Sequence, residues 1–188
     1  MPNWCNNYFV LQPCSKIEAE KLPHEKSKDY DKAVKLILKD DELEQIKGFE
    51  IFYPRPKEKD KEWYDWNCSN WGTKWNINSW GICAHDIGED NRLCCSFDTA
   101  WSPPISFAKK LSELYPDMYV GLDYEEPGCD FGGFTLWLNG EEIEGKGWSI
   151  AALAKVHNCI VEDEEGYEEI DWEYFNEIDK PSCEDYMN

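Results

Sequence analysis

This sequence of 188 residues lacks the signals of several common protein classes. No apolar run approaches the roughly 20 residues of a membrane-spanning helix, so we expect no membrane span. The start, Met1-Pro2-Asn3-Trp4, lacks a basic region followed by an apolar stretch, which argues against a signal peptide and favours a cytoplasmic protein. There is no Ser/His/Asp or Cys/His pattern and no glycine-rich phosphate loop, so we expect a non-enzymatic protein without cofactors.

Basic residues are scarce, since 19 Lys and Arg stand against 39 Asp and Glu, for a net charge of −20. Such a surface repels nucleic-acid phosphates, so we expect no direct binding of nucleic acid and favour a basic protein surface as the partner. The imbalance is concentrated in residues 160–188, where twelve acids accompany one base, Lys180. More than half of the net charge therefore lies in this last segment.

Metal-ligand spacing is also missing. The nine cysteines include no Cys-x-x-Cys pair, and without export they are expected to be free thiols. The three histidines, His24, His85 and His157, are far apart in sequence and are expected to be structural or on the surface. The sequence therefore predicts no metal site.

Hydrophobic spacing and turn residues predict an α+β chain. The predicted strands are Asn7–Gln12, Phe49–Tyr53, Ile77–His85, Leu93–Ala100, Met118–Tyr124 and Phe131–Leu138. The predicted helices are Asp31–Lys39, Trp63–Asn70, Phe107–Tyr115 and Trp148–Val156. A type II turn is predicted at Glu126–Cys129 and a hairpin turn at Asn139-Gly140. This order is compatible with a βαββαβ ferredoxin-like fold, an antiparallel sheet with helices on one face.

Four stretches carry a family resemblance: Met1-Pro2-Asn3-Trp4-Cys5-Asn6-Asn7, Asn70-Trp71-Gly72-Thr73-Lys74-Trp75-Asn76, Phe97-Asp98-Thr99-Ala100-Trp101-Ser102-Pro103-Pro104, and Tyr124-Glu125-Glu126-Pro127-Gly128 leading to Phe131-Gly132-Gly133. Together they resemble the YubB-type proteins with a ferredoxin-like domain. The resemblance spans about residues 1–145. It implies that fold and an origin on bacteriophages, plasmids or other mobile elements, and it brings no catalytic residues. Residues 146–188 are predicted to form a helical, acidic and aromatic C-terminal extension.

The tryptophan-rich motif has two interpretations. Trp71, Lys74, Trp75, Asp98 and Trp101 would line a site for a nucleotide or other small ligand, with Lys74 meeting a phosphate. The favoured alternative is that Trp71 and Trp75 fill the open side of the sheet. Asp98 would be a general base or metal ligand in an enzyme, but an ion pair with Lys74 is the favoured prediction.

A group of acids lies where two predicted strands meet. Asp123, Glu125, Glu126 and Asp130 would suit a divalent cation, whose ligands are oxygens, but solvated charges are the favoured interpretation.

The acidic segment 160–188 also contains aromatic residues, a composition typical of a segment that docks on a basic, partly apolar surface. Folding back onto the domain is equally compatible with it. The predicted partner-binding residues are Glu162, Asp163, Glu164, Glu165, Glu168, Glu169, Asp171 and Trp172. The resulting hypothesis is a phage or mobile-element inhibitor of a host defence nuclease, of the CRISPR or restriction type, which acts in the host cytoplasm by nucleic-acid mimicry. The alternative is the small-ligand module.

Overall fold

Strands outnumber helices in the structure, a computed structural model that describes residues 3–13, 48–77, 82–87 and 93–187. The strands are β1 Trp4–Pro13, β2 Ile82–Ile87, β3 Leu93–Ala100, β4 Met118–Glu126, β5 Phe131–Leu138, β6 Glu141–Trp148, β7 Ile160–Glu162 and β8 Glu168–Ile170. The helices are α1 Phe49–Phe52, α2 Trp63–Asn70, α3 Ile105–Leu114, α4 Ile150–Val156 and α5 Trp172–Glu177. Short 3₁₀ turns lie at Lys57–Glu62, Pro127–Cys129 and Cys183–Tyr186.

Six of the described strands form one antiparallel sheet, in the order β2-β3-β1-β4-β5-β6. In the first four strands, β1 lies between β3 and β4, and β2 flanks β3. This is the strand order of a βαββαβ ferredoxin-like fold, with α3 as the connection from β3 to β4. The predicted fold class is therefore confirmed, and β5 and β6 extend the sheet beyond β4.

The central strand β1 buries side chains on both faces of the sheet. Phe9 and Leu11 join a core cluster with residues of α1, α2 and α3, whereas Val10 enters a second cluster on the opposite face. That opposite face is closed by Cys183 and Met187, which return to the sheet from the C-terminal 3₁₀ turn and the residue after it. The sheet thus has helices on one face and an irregular segment on the other.

Helix α3 follows directly from its sequence. Pro104 precedes the first turn, where a missing backbone N–H costs nothing, and Pro116 stops further extension. Phe107, Ala108 and Leu111 recur at helical spacing and are buried against the sheet. The helix predicted at Phe107–Tyr115 is confirmed, as is the helix Trp63–Asn70.

The segment Phe49–Tyr53, predicted as a strand, is helical instead. The Phe49 N–H donates to Asn76 Oδ1 at 2.7 Å, and the Tyr53 N–H donates to the Phe49 carbonyl at 2.9 Å, closing one helical turn. The Phe49 ring packs against Trp71 and Phe107 in the helix-side core. These tertiary contacts override the local preference of aromatic residues for strands.

Strand β6 was absent from the pattern-based prediction because it lies at the edge of the sheet. Residues 141–147 are all exposed, so the strand lacks the alternation of apolar and polar residues that marks a half-buried strand. The helix predicted from Trp148 therefore begins at Ile150, after the strand ends. The sheet therefore extends to Trp148, three residues past residue 145, where the predicted ferredoxin-like domain ends.

Of the two predicted turns, the hairpin turn at Asn139-Gly140 is confirmed and the type II turn at Glu126–Cys129 is not. Asn139 and Gly140 have φ values of 51° and 80°, as the predicted hairpin turn between β5 and β6 requires. At Glu126–Cys129 a 3₁₀ turn replaces the predicted type II turn. The left-handed residue there is Asp130, with φ 57°, and the Glu126 carboxylate accepts a hydrogen bond from the Gly128 N–H.

The remaining predicted elements are confirmed in different degrees. The strands predicted at Asn7–Gln12, Leu93–Ala100, Met118–Tyr124 and Phe131–Leu138 are β1, β3, β4 and β5. The strand predicted at Ile77–His85 is confirmed in part, since β2 spans Ile82–Ile87. The helix predicted at Asp31–Lys39 lies outside the described residues. The seven described cysteines are free thiols, as expected.

The C-terminal extension has a small core of its own. Ile150 and Ala154 of α4 are buried with Cys159 and with Phe175 of α5. β7 and β8 pair as a hairpin between the two helices. The predicted helical extension is therefore confirmed in part, because a hairpin interrupts it.

Asp130 ties this extension to the sheet. Its carboxylate accepts hydrogen bonds from Ser149 Oγ and the Ala151 N–H, both at 2.7 Å, at the start of α4. These bonds hold the pKa of Asp130 below its ordinary value. Asp130 is therefore a structural residue, and its exposed carboxylate is at the same time the solvated charge that was expected.

We expect a methyl group at Gly121 to disrupt the C-terminal cover of the sheet. A Cβ there would lie 2.5 Å from both Cys183 Sγ and Met187 Cε. The Gly121→Ala variant should lose about 1–3 kcal/mol of unfolding free energy, the usual cost of overpacking, in urea denaturation. Gly147→Ala is the matched control, because a Cβ there meets only a carbonyl oxygen at 3.7 Å. Equal stability of the two variants would contradict the close packing of the cover.

Candidate functional site

The acidic hairpin, residues 160–170, holds most of the predicted partner-binding residues. The register pairs Ile160 with Ile170 and Glu162 with Glu168. Asp163 orders the turn, because its carboxylate accepts from the Glu165 N–H at 2.9 Å and from the Tyr167 N–H at 2.8 Å. The turn is thus fixed by a side chain that was predicted to contact a partner.

The other acids of the hairpin are displayed to solvent. The exposed glutamates are Glu162, Glu164, Glu165, Glu168 and Glu169. Glu168 lies 3.6 Å from Lys155, an exposed pair that contributes little to stability. Glu162 and Glu168 are directly opposite each other, and like charges in that position are unfavourable.

Two isoleucines anchor the hairpin on the core of the extension, and two aromatic side chains lie exposed next to its acids. Ile160 and Ile170 pack on the small core of the extension. Tyr167, by contrast, is 68% exposed. Asp171 caps α5 by accepting from the Tyr174 N–H at 3.1 Å, and the exposed Trp172 packs edge-on against Phe175. The segment therefore folds on itself and still presents acids beside aromatic rings.

Trp71 is completely buried, and its indole N–H donates to the Tyr53 carbonyl at 3.0 Å. It belongs to the helix-side core with Phe49 and Phe97. Trp71 is therefore a core residue and is inaccessible to a ligand, which corrects its assignment to a small-ligand site. The favoured interpretation, that Trp71 and Trp75 fill the open side of the sheet, is right that Trp71 is a packing residue, but Trp71 lies on the helix side and Trp75 is 38% exposed.

Lys74 and Asp98 do not form the predicted ion pair. Lys74 Nζ lies 4.6 Å from the ring centroid of Trp75 and 5.9 Å from that of Tyr64. Asp98 lies on the opposite face of the sheet from Phe97, whose ring is in the helix-side core. The structure therefore separates Asp98 from the tryptophan motif.

Trp75 and Trp101 are both exposed. The Trp75 ring is 6.2 Å from that of Trp4, so it has an aromatic neighbour as well as Lys74. Trp101 follows β3 with a left-handed φ of 75°, and its N–H donates to the Asn3 carbonyl. Of the five residues predicted for a small-ligand site, the structure brings only Lys74 and Trp75 into contact.

A pocket of about 430 Å³, which the sequence did not predict, lies between the sheet and residues 180–182. We call it the sheet pocket. Its floor is formed by side chains of β1, β3 and β4, namely Asn6, Tyr8, Ser96, Asp98, Asp123 and Glu125. Its walls include Trp148, Lys180, Pro181 and Ser182. These segments are far apart in sequence, so no local pattern indicates the pocket.

The carboxylates of the sheet pocket have different partners. Glu125 Oε1 accepts from Lys180 Nζ at 2.8 Å, and Asp123 Oδ1 accepts from the Cys183 N–H at 2.7 Å. Burial raises the pKa of Asp123 to about 6, although the bond from Cys183 opposes that shift. Partial burial also raises the pKa of Asp98.

The four acids predicted as solvated charges therefore have separate roles. Asp123 and Glu125 line the sheet pocket, Asp130 caps α4, and Glu126 is buried on the other face of β4. Among the described parts of the chain, no group of three metal-ligating residues comes together.

These features define the chain as a ferredoxin-like α+β domain with an acidic extension. The family model for the ferredoxin-like domain in Api92-like protein matches residues 70–171, and the chain belongs to that family. A crystal structure of protein api92 from Yersinia pseudotuberculosis is similar at 19% identity, with a TM-score of 0.40. That match covers 46% of this chain and 30% of the api92 chain. No curated protein matches the chain. None of the helices in the described ranges is long and apolar enough to cross a membrane.

We expect the Asp123→Asn variant to be more stable than the native protein above about pH 6. An acid whose pKa rises from 3.8 to about 6 on folding opposes folding when it is ionised. This penalty is present above the folded pKa and disappears as the pH falls through both values. Asparagine retains an oxygen that can accept from the Cys183 N–H.

The gain should be about 1–3 kcal/mol near pH 8 and close to zero near pH 4, since one pKa unit corresponds to about 1.4 kcal/mol. Urea unfolding across this pH range measures it. The exposed Glu164→Gln change is the control and should show no comparable gain. A gain for Asp123→Asn that does not vary with pH would contradict the assignment.

Proposed function

We propose that this protein is a non-enzymatic binding protein that docks its acidic hairpin on a basic, partly apolar protein surface. The observation that carries the proposal is the folded hairpin itself, which displays five exposed glutamates beside Tyr167 and Trp172. A basic surface would pair with the glutamates, and its apolar part would cover the aromatic rings.

The hairpin is already ordered in the free protein, which favours its association with a partner. Asp163 fixes the turn, and Ile160 and Ile170 anchor the two strands, so little conformational entropy remains to be lost on association. The opposed Glu162 and Glu168 repel each other in the free protein. A cationic partner would relieve that repulsion, which adds to the electrostatic gain of the complex.

The class of partner follows from charge and from the family resemblance. A net charge of −20 suits the positively charged nucleic-acid site of another protein and disfavours nucleic acid itself. The resemblance to YubB-type proteins adds a phage or mobile-element context. We therefore propose that the partner is a host defence nuclease, of the CRISPR or restriction type, and that the hairpin occupies its nucleic-acid site by mimicry in the host cytoplasm.

Competition with DNA tests this proposal. Purified nucleases are bound to a fluorescently labelled DNA duplex, and displacement by the protein is followed by anisotropy. One variant changes the exposed glutamates of the hairpin to glutamine at positions 162, 164, 165, 168 and 169. We expect competition to weaken about ten- to a hundredfold, because each exposed charge contact contributes a few tenths to one kcal/mol.

The matched control removes five charges elsewhere, with Glu58→Gln, Asp65→Asn, Glu141→Gln, Glu144→Gln and Glu177→Gln. It should compete nearly as well as the native protein. Competition by the native protein should also fall steeply as salt rises from about 50 mM to about 300 mM, because salt screens exposed charges. Equal loss in both variants, binding insensitive to salt, or no displacement from any nuclease would contradict the proposal.

A second candidate function is the binding of a planar ligand such as a nucleotide at Trp75. It is favoured by the 38% exposure of this ring, its proximity to Trp4, and the ammonium of Lys74 above it. We expect nucleotides to quench tryptophan emission in the native protein and to quench it less in Trp75→Phe. Trp172→Phe is the control and should retain full quenching. An absence of quenching by every nucleotide would exclude this candidate.

A further inference from the structure

The sheet pocket carries an excess of negative charge. Asp98, Asp123 and Glu125 face it, whereas Lys180 is the one cationic residue among its described lining. Lys180 pairs with Glu125, and Asp123 accepts a backbone N–H. No hydrogen bond or ion pair to Asp98 is found within the described ranges, and its carboxylate stands at the pocket free to accept. The pocket is therefore suited to a positively charged ligand.

Lys180 at the wall of the pocket shows how a carboxylate of the pocket and an aromatic ring next to it stabilise a cation. The ammonium lies 2.8 Å from Glu125 Oε1 and 4.1 Å from the ring centroid of Phe175. Carboxylate and aromatic ring thus act on the same charge, an arrangement that gains strength when partly buried. Asp98, on the floor with the ring of Tyr8, offers the same two kinds of group to a second cation.

Trp148 contributes a hydrogen-bond donor that has no partner. Its Nε1 atom is buried and unpaired, and an unpaired buried donor is unfavourable. Gly132 allows the indole to lie close to the sheet beside Glu125, because a Cβ there would lie 2.6 Å from Trp148 Nε1 and 3.3 Å from Glu125 Cγ. An acceptor atom on a ligand would satisfy this N–H near the carboxylate of Glu125.

We propose that the sheet pocket binds an organic cation of arginine type, a guanidinium on an apolar stem that also carries a carbonyl or carboxylate oxygen. The volume of about 430 Å³ lies within the range of small-molecule sites. A guanidinium is planar, has only donors, binds carboxylates and stacks on aromatic rings, which matches Asp98 and Tyr8. The ligand oxygen would accept from Trp148. This site uses none of the hairpin residues, so it is independent of the proposed docking function.

Arginine chemistry has two sources, the free amino acid and an arginine residue within a peptide. Calorimetric titrations with L-arginine and with N-acetyl-arginine methylamide distinguish them. Binding of both identifies a small-molecule site, and binding of the blocked compound alone identifies a peptide site; either result supports the proposal. N-acetyl-citrulline methylamide has the same shape without the charge and should not bind. n-Butylguanidine, which has the same single charge and an apolar stem but lacks the oxygen, should bind more weakly than N-acetyl-arginine methylamide.

Variants of the pocket should change affinity in opposite directions. Asp98→Asn removes the free carboxylate and should weaken binding about three- to tenfold. Lys180→Gln removes the resident cation and should strengthen binding about two- to fivefold. Trp148→Phe removes the N–H and should abolish the preference for N-acetyl-arginine methylamide over n-butylguanidine. The hairpin variant with five glutamines is the control, and it should bind as the native protein does.

Several results would overturn the proposal: no binding of any cationic compound, equal binding of citrulline and arginine derivatives, or unchanged affinity in Asp98→Asn. Equal loss in the hairpin control would also overturn it, because the attraction would then come from overall charge rather than from the pocket. Circular dichroism of each variant checks that the fold is retained, and Asp98 is exposed, so its replacement leaves the core intact.

Discussion

The pairing of β1 with both β3 and β4 is the constraint on which the rest of the structure depends. The family match begins at residue 70, yet β1, which lies far upstream, is the strand that joins the two halves of the sheet. Without it, β2 and β3 would have no contact with β4, β5 and β6 through the hydrogen-bonded ladder. The sheet pocket also depends on β1, because Asn6 and Tyr8 lie at the centre of its floor.

Polar side chains of the Met1–Asn7, Asn70–Asn76 and Phe97–Pro104 motifs form contacts that hold this sheet together. Asn7 Nδ2, buried within β1, donates to the Phe97 carbonyl at 3.1 Å and to Thr99 Oγ1 at 2.9 Å. Thr73 Oγ1 donates to the Ala100 carbonyl at 3.0 Å. A buried polar side chain is stabilising only when its partners are present, so these residues depend on one another. The motifs therefore build much of the sheet, and they also supply Asp98 and Glu125 to the sheet pocket, whereas the acidic hairpin lies outside them.

Much of the fold could be predicted from local patterns. β3 and α3 bury one face and show it in their periodicity, whereas β5 is buried along its length and is marked by a run of apolar residues that ends at a turn signal. Edge strand β6 could not, since its residues 141–147 face solvent and carry no periodic signal. The helical turn at Phe49 was also not predicted, because its conformation is set by ring packing in the core and not by the local sequence.

The candidate sites were predictable to a smaller degree. The exposure of the hairpin glutamates follows from their charge, but the use of Asp163 and Asp171 as caps depends on backbone geometry that spacing alone does not reveal. The sheet pocket joins segments around residues 6, 98, 124, 148 and 181, and only the strand order brings them together.

The cover over the open face of the sheet has a consequence for folding kinetics. Val10 belongs to the first strand, and the cluster around it is completed by Cys183 and by Met187, the last described residue. Contacts so distant in sequence raise the contact order, and proteins of high contact order fold slowly because long loops must close first. During synthesis, the apolar face of β1 therefore stays uncovered until residues 183–187 have been made, and it needs protection until then.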